Sequence, residues 1–302
     1  MSLAAILLLI VSAFLHAGWN LLSKRNNPSP SFLLVANAFG CLILLPAVCL
    51  WGKAYLFFPL RVWILVMLTG VCMAVYYAAL ALAYREGDMS IVYPLARSSP
   101  LIVVTVTALL LGRKSEVGNA CIAGIVLIVG GCFLLPMNRF RDLRLRNYTN
   151  AACLFALLAA FGTAGYSMLD DTALRCLRAS SDVGLKTVPA TMLYSFVEAL
   201  SASLWLGGFV LGSRRGRREL GAVWRHQRSS AFLAGAGIYV TYTIVLVSLA
   251  FVRNVSYVVA FRQLSIPIGA VLGMLLLKEP RPAPKIAGIA VLFVGLLMVG
   301  LG

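Results

Sequence analysis

Residues 76–112 read YYAALALAYREGDMSIVYPLARSSPLIVVTVTALLLG. An apolar span is broken by Arg85-Glu86-Gly87-Asp88, and a second apolar span follows that opens at Ser90 and carries Pro94, Arg97 and Pro100. The pattern returns at residues 242–278, with a break at Arg253-Asn254 and a new span opening at Ser256. Ser90 aligns with Ser256, Val92 with Val258, and Leu109-Leu110-Leu111 with Leu275-Leu276-Leu277. Arg97 and Arg262 fall one residue out of register, as do Pro100 and Pro267. Polar and helix-breaking residues at the same place in two hydrophobic segments are the mark of a transport site built at a repeat interface.

The rest of the chain agrees. It is 61% hydrophobic and 12% charged, too few charges to coat a soluble domain of 302 residues. Apolar runs of about 20 residues cross roughly 30 Å of hydrocarbon as helices, and the strict alternation of a membrane β-barrel is absent. Ten spans are expected, at 3–23, 31–52, 62–84, 90–111, 117–135, 151–169, 188–211, 230–251, 255–277 and 284–301. The connections 136–150, 170–187 and 212–229 are left as loops. The net charge of +16 does not signal nucleic acid, because the lysines and arginines sit in loops, where they set orientation and meet anionic lipid. Basic residues concentrate after the odd-numbered spans, which by charge alone puts both termini outside. Seven cysteines without CxxC spacing read as small buried residues rather than disulfides or metal ligands. The first segment lacks a basic n-region and a small-residue cleavage site, and reads as a retained helix.

A second correspondence pairs Ala13-Phe14-Leu15-His16-Ala17-Gly18-Trp19-Asn20 with Ala160-Phe161-Gly162-Thr163-Ala164-Gly165-Tyr166-Ser167. Ile122-Ala123-Gly124 pairs with Ile286-Ala287-Gly288 in the same way. The expected fold is therefore an all-α integral membrane protein of two five-helix repeats, 1–138 and 148–302. Five is odd, so the second repeat enters from the opposite side of the membrane.

These motifs resemble the drug/metabolite transporter superfamily, and within it the EamA-type ten-helix branch. The resemblance rests on His16-Ala17-x-Trp19-Asn20 with Lys24, on Ala79-Leu80-Ala81 running into Ser90-x-x-Tyr93-Pro94-Leu95, and on the Leu277-Lys278-Glu279 ending. Gly112-Arg113 puts a base where Glu279 keeps the family's acid. The resemblance implies both termini inside, substrate bound between the repeats, and alternating access by rocking one against the other.

Glu198 is the one acid expected mid-span. A carboxylate there costs roughly 2.5–3.5 kcal/mol on insertion scales, so it needs a partner, a watery cavity or a proton. It is either a protonatable coupling site, a partner of an intramembrane arginine, or a hydrogen-bonded structural acid. Arg97 shares a helical face with Tyr93 and Ser90, and its guanidinium suits a carboxylate or phosphate-type group. Arg262 offers the symmetric counterpart, with Gln263 beside it. His16 is a second candidate for proton coupling, with Asn20 one turn away. Trp19, Tyr77, Tyr166, Tyr242, Ser256 and Tyr257 complete the expected lining, or else pack between helices. Asp170-Asp171 is expected to be a solvated helix end.

No cofactor or metal is expected, and no triad, metal motif or phosphate loop supports an enzyme. The expected partners are a small-molecule substrate and membrane lipids, with the chain a monomer or weak homodimer. The reading is a secondary transporter of an anionic or zwitterionic metabolite in a bacterial inner membrane, driven by protons through Glu198 or His16 or else working by facilitated exchange. Its rivals are efflux of lipophilic cations and a non-transporting receptor or scaffold.

Overall fold

The computed structural model describes residues 3–26, 28–97, 119–142, 144, 147–180, 187–249 and 263–301, and among them there is no strand. The helices are α1 (Leu3–Arg25), α2 (Pro30–Trp51), α3 (Leu60–Glu86), α4 (89–97), α5 (Asn119–Leu134) and α6 (Ala151–Ala179). They continue as α7 (Thr187–Gly212), α8 (Arg214–His226), α9 (Arg228–Leu249), α10 (Ser265–Leu276) and α11 (Ala283–Leu301). A 3₁₀ turn, Gly52–Phe57, follows α2. Five of these stretches are long and apolar enough to cross a membrane: Ile6–Arg25, Pro30–Phe57, Leu60–Glu86, Ala151–Ala179 and Val188–Gly212.

Local chemistry sets the helix starts. Ser29 Oγ accepts from the Phe32 amide ahead of Pro30, and Asn150 Oδ1 accepts from the Cys153 amide at the head of α6. Such side chains satisfy amides that have no partner within the helix, and a proline in the first turn loses nothing.

Two elements differ from expectation. The loop expected at 212–229 is mostly the helix α8. Ser213 caps it by accepting from the Gly216 amide at 2.9 Å, and Leu220, Val223 and Trp224 share one face between arginines. That face is apolar and its opposite strongly basic, as in a helix lying at a membrane surface. The sixth span also runs ten residues past its expected end, to Ala179. Charge at Asp170-Asp171 does not stop a helix; it only changes what the helix must face.

Helix contacts run between the two parts of the chain. α3 packs along α6 and α7, α2 along α7 and α9, α1 along α9 and α10, and α5 along α11. The α5–α11 seam is glycine on glycine. A Cβ on Gly124 would lie 2.7 Å from the Gly295 carbonyl oxygen, and one on Gly131 would lie 2.8 Å from that of Gly288. Without a hydrophobic drive between helices in lipid, such close backbone approach supplies the packing. The main core brings Trp19, Phe32, Tyr76, Tyr77, Tyr84 and Tyr93 together between the helices.

Candidate functional site

A cavity of about 320 Å³ lies between α1, α3, α4, α6, α7 and α9. Arg97, at the end of the described part of α4, lines it, and its buried Nε has no hydrogen-bond partner among the described residues. His16 and Trp19 of α1 form the adjoining wall. The Trp19 indole Nε1 donates to His16 Nδ1 at 3.3 Å, which fixes the acceptor nitrogen of that ring. Tyr76 and Tyr77 of α3 and Tyr166 of α6 continue the aromatic lining, with Tyr76 and Tyr166 edge to face at 5.8 Å.

The other end of the cavity is acidic. Asp170 of α6 and Glu198 of α7 both line it, within electrostatic reach of one another, and the Tyr194 hydroxyl donates to Asp170 Oδ1 at 2.7 Å. Only Asp171 has the solvated position expected of the pair. It is exposed and ion-paired to Arg175, one turn on, whereas Asp170 points inward. Adjacent residues on a helix sit about 100° apart, so one acid of a doublet can face water and the next a cavity. Asp170, Tyr194, Ser195, Tyr239 and Thr241 are therefore lining residues outside the expected set.

The helical rise separates the two ends. Arg97 lies eight residues beyond Met89, about 12 Å from the α3–α4 turn. Asp170 lies 18 residues beyond Ala152, which packs on Gly87 of that same turn. That is about 27 Å along α6. Arg97 and Asp170 therefore sit at different depths.

A buried amide holds the tyrosine wall. Asn37 of α2 is fully buried; its Oδ1 accepts from the Tyr239 hydroxyl at 3.0 Å and the Tyr77 hydroxyl at 3.4 Å. Its Nδ2 donates to the Ala199 carbonyl at 2.8 Å and to Ser203 Oγ at 2.9 Å. One side chain thereby ties four helices and sets the direction of two cavity hydroxyls.

Four expected lining residues have other places. Asn20 is fully buried, donating to the His16 carbonyl and accepting from the Tyr84 hydroxyl at 2.8 Å, so both its polar atoms are used between α1 and α3. Tyr93 is buried behind His16, ring centroids 6.4 Å apart. Ser90 lies at the α3–α4 turn, where it accepts from Lys285 Nζ at 3.1 Å. Gln263 is half-buried and does not line the cavity. Ser256, Tyr257 and Arg262, and the Tyr242 side chain, lie outside the described residues.

Ser90 belongs to a polar lock that joins the two parts of the chain at one end of the bundle. Glu279 accepts from the Met89 and Ser90 amides at 2.6 and 2.8 Å, placing a carboxylate at the N-terminus of α4. Lys24 donates to the Tyr84 and Gly87 carbonyls at the C-terminus of α3. Both charges sit where the helix dipoles favour them. Lys285, 2% exposed, bridges Asp88 Oδ2 at 3.1 Å, Ser90 Oγ and the Pro280 carbonyl. Lys278 holds a positive φ of 57° just before Glu279, turning the chain so that the carboxylate reaches α4.

Residues 3–137 match the model of the EamA-like transporter family. That stretch is an EamA-like transporter unit. The match ties that stretch to the drug/metabolite transporter superfamily, and the long apolar helices are those of an integral membrane protein. Members of the EamA-like family are as a rule not enzymes. Comparison with curated proteins gave no match. The EamA-like stretch contributes His16, Trp19, Tyr76, Tyr77 and Arg97 to the cavity; Tyr166, Asp170, Tyr194 and Glu198 come from beyond it.

Proposed function

We propose that the protein is a secondary transporter of a small anionic or zwitterionic metabolite, an amino acid or organic acid, moved by alternating access between inverted repeats 1–138 and 148–302 in a bacterial inner membrane. The reading rests on one observation: a cavity lined by both parts of the chain, with an arginine whose buried Nε has no partner among the described residues and with the carboxylates of Asp170 and Glu198 in the same lining. Arg97 receives the substrate's anionic group. The aromatic wall takes its apolar part. Asp170, farther along the axis than Arg97, and Glu198 beside it accept the coupling proton, with His16 as a relay. The reciprocal packing of α3 on α6 and α1 on α9 supports the repeat reading, as does the matched glycine seam of α5 and α11. The bundle works as a monomer or weak homodimer.

The test is flux in reconstituted vesicles under an imposed pH gradient, with radiolabelled amino acids and dicarboxylates as substrates. Arg97→Glu should abolish uptake while leaving the protein monodisperse, and unchanged uptake sinks the assignment. A second reading, efflux of lipophilic cations, gains weight from Asp170 joining Glu198 beside Trp19 and the tyrosines, since aromatic faces and carboxylates suit cations. Binding of tetraphenylphosphonium that survives Arg97→Glu but fails in the Asp170→Asn/Glu198→Gln double variant would favour it.

A further inference from the structure

α8 makes a second site, distinct from the transport cavity. The single-residue link Ser213 turns the chain sharply out of α7, and a Cβ on Gly216 would lie 2.2 Å from the Val210 carbonyl oxygen, so only glycine fits the bend. Ser31 Oγ donates to the Gly216 carbonyl at 3.1 Å and pins the start of α8 to the head of α2. Between α2 and α8 this leaves a groove of about 820 Å³. Its floor is apolar and runs from Leu34 to Leu42, about 12 Å down α2 by helical rise. Its rim carries Arg217 and Arg225, with Trp224 stacked on Phe39 at 6.1 Å and 9°.

We infer that this groove binds an anionic phospholipid, its acyl chain along α2 and its headgroup phosphate between Arg217 and Arg225. Charge complementarity selects the occupant. Six arginines lie between 214 and 228, and the one acid among them, Glu219, is already paired with Arg85 and Arg215. Arg214, Arg217, Arg218 and Arg225 have no ion pair among the described residues. Arg217 gives one N–H to the Leu211 carbonyl and keeps further donors for a phosphate. A polybasic amphipathic helix with an aromatic anchor, set over a groove that descends into hydrocarbon, matches a two-part ligand with a negative head and an apolar tail.

The experiment is native mass spectrometry of the full chain released from mixed phosphatidylglycerol and phosphatidylcholine nanodiscs. The wild type should retain one phosphatidylglycerol. Arg217→Ala/Arg225→Ala should lower that retention roughly thirtyfold, as expected for losing two basic contacts at a membrane surface. Arg139→Ala/Arg141→Ala, equal in charge but in another loop, should leave it unchanged. Equal retention of phosphatidylcholine, an undiminished signal in the groove variant, or an equal loss in the control pair would each overturn the site. Melting in phosphatidylcholine alone checks folding of the groove variant. If it melts early, Leu42→Arg, which charges the floor without touching α8, replaces it and should lower retention likewise.

Discussion

At the scale of single residues, the informative side chains are polar ones whose partners come from other helices. Asn37 is the clearest. Asn37→Leu removes the Oδ1 that accepts from Tyr77 and Tyr239 and the Nδ2 that donates to Ala199 and Ser203, and loss of partners for buried polar groups costs about 1–3 kcal/mol. A lower melting temperature in detergent is therefore expected, together with weaker substrate binding as the wall loses its fixed hydroxyls. Normal binding with only the melting shift would make Asn37 a packing residue. Glu198→Gln carries a different expectation. If the acids hold the coupling proton, it should block accumulation against a gradient yet leave counterflow exchange intact, because exchange moves substrate without net proton movement. Asp170→Asn should do the same, whereas Asp171→Asn, on the solvated face, should change nothing. Arg97, Trp19, Tyr77, Tyr166, His16 and Glu198 were legible from sequence because a charge or aromatic inside an apolar run is conspicuous. Asp170 was hidden by its neighbour: a doublet at the edge of a hydrophobic run looks like the end of the run. Asn37 was hidden because an isolated amide says nothing about which helices it will join.

At the scale of elements, hydrophobic runs located the described helices well, since the bilayer demands length and apolarity from each. Amphipathic structure was harder to see. α8 has low overall hydrophobicity and reads as loop unless the spacing of Leu220, Val223 and Trp224 is weighed against its arginines. The glycines of the α5–α11 seam are not all alike. Gly131 faces Gly288, while a Cβ on the adjacent Gly130 would meet nothing within 4 Å. Gly131→Ala should therefore cost about 1–3 kcal/mol through forced separation of the helices, and Gly130→Ala should be neutral or slightly stabilising. Thermal melting of the two variants decides it. Equal effects would mean that helix propensity, and not the backbone approach, governs this seam.

At the scale of the whole molecule, the lock and the cavity divide the bundle along its long axis. Lys24, Asp88, Glu279 and Lys285 close one end, where the α3–α4 turn meets the α10–α11 connection, and the cavity deepens toward Asp170 and Leu174, away from that end. Charged groups buried in pairs are costly to separate singly but can be released together, which suits a contact that must open during a cycle. Glu279→Gln keeps the shape of the side chain and removes the charge opposite the α4 N-terminus. Gln has one acceptor oxygen and an NH2 in place of the second, so one of the two amides would keep only a neutral acceptor and the other would lose its partner, and charge-assisted hydrogen bonds are roughly twice as strong as neutral ones. The variant should exchange the Met89 and Ser90 amides faster in hydrogen–deuterium exchange, with the α5–α11 seam unchanged. If the lock sets the balance between states open at opposite ends, water accessibility near Ala17 and Tyr84 should rise in the same variant. Excess Asp170-side substrate should then fail to restore full flux, because the protein lingers open at the wrong end. Faster amide exchange without that rise would confine Glu279 to capping α4, and the lock would be a fastening rather than a gate.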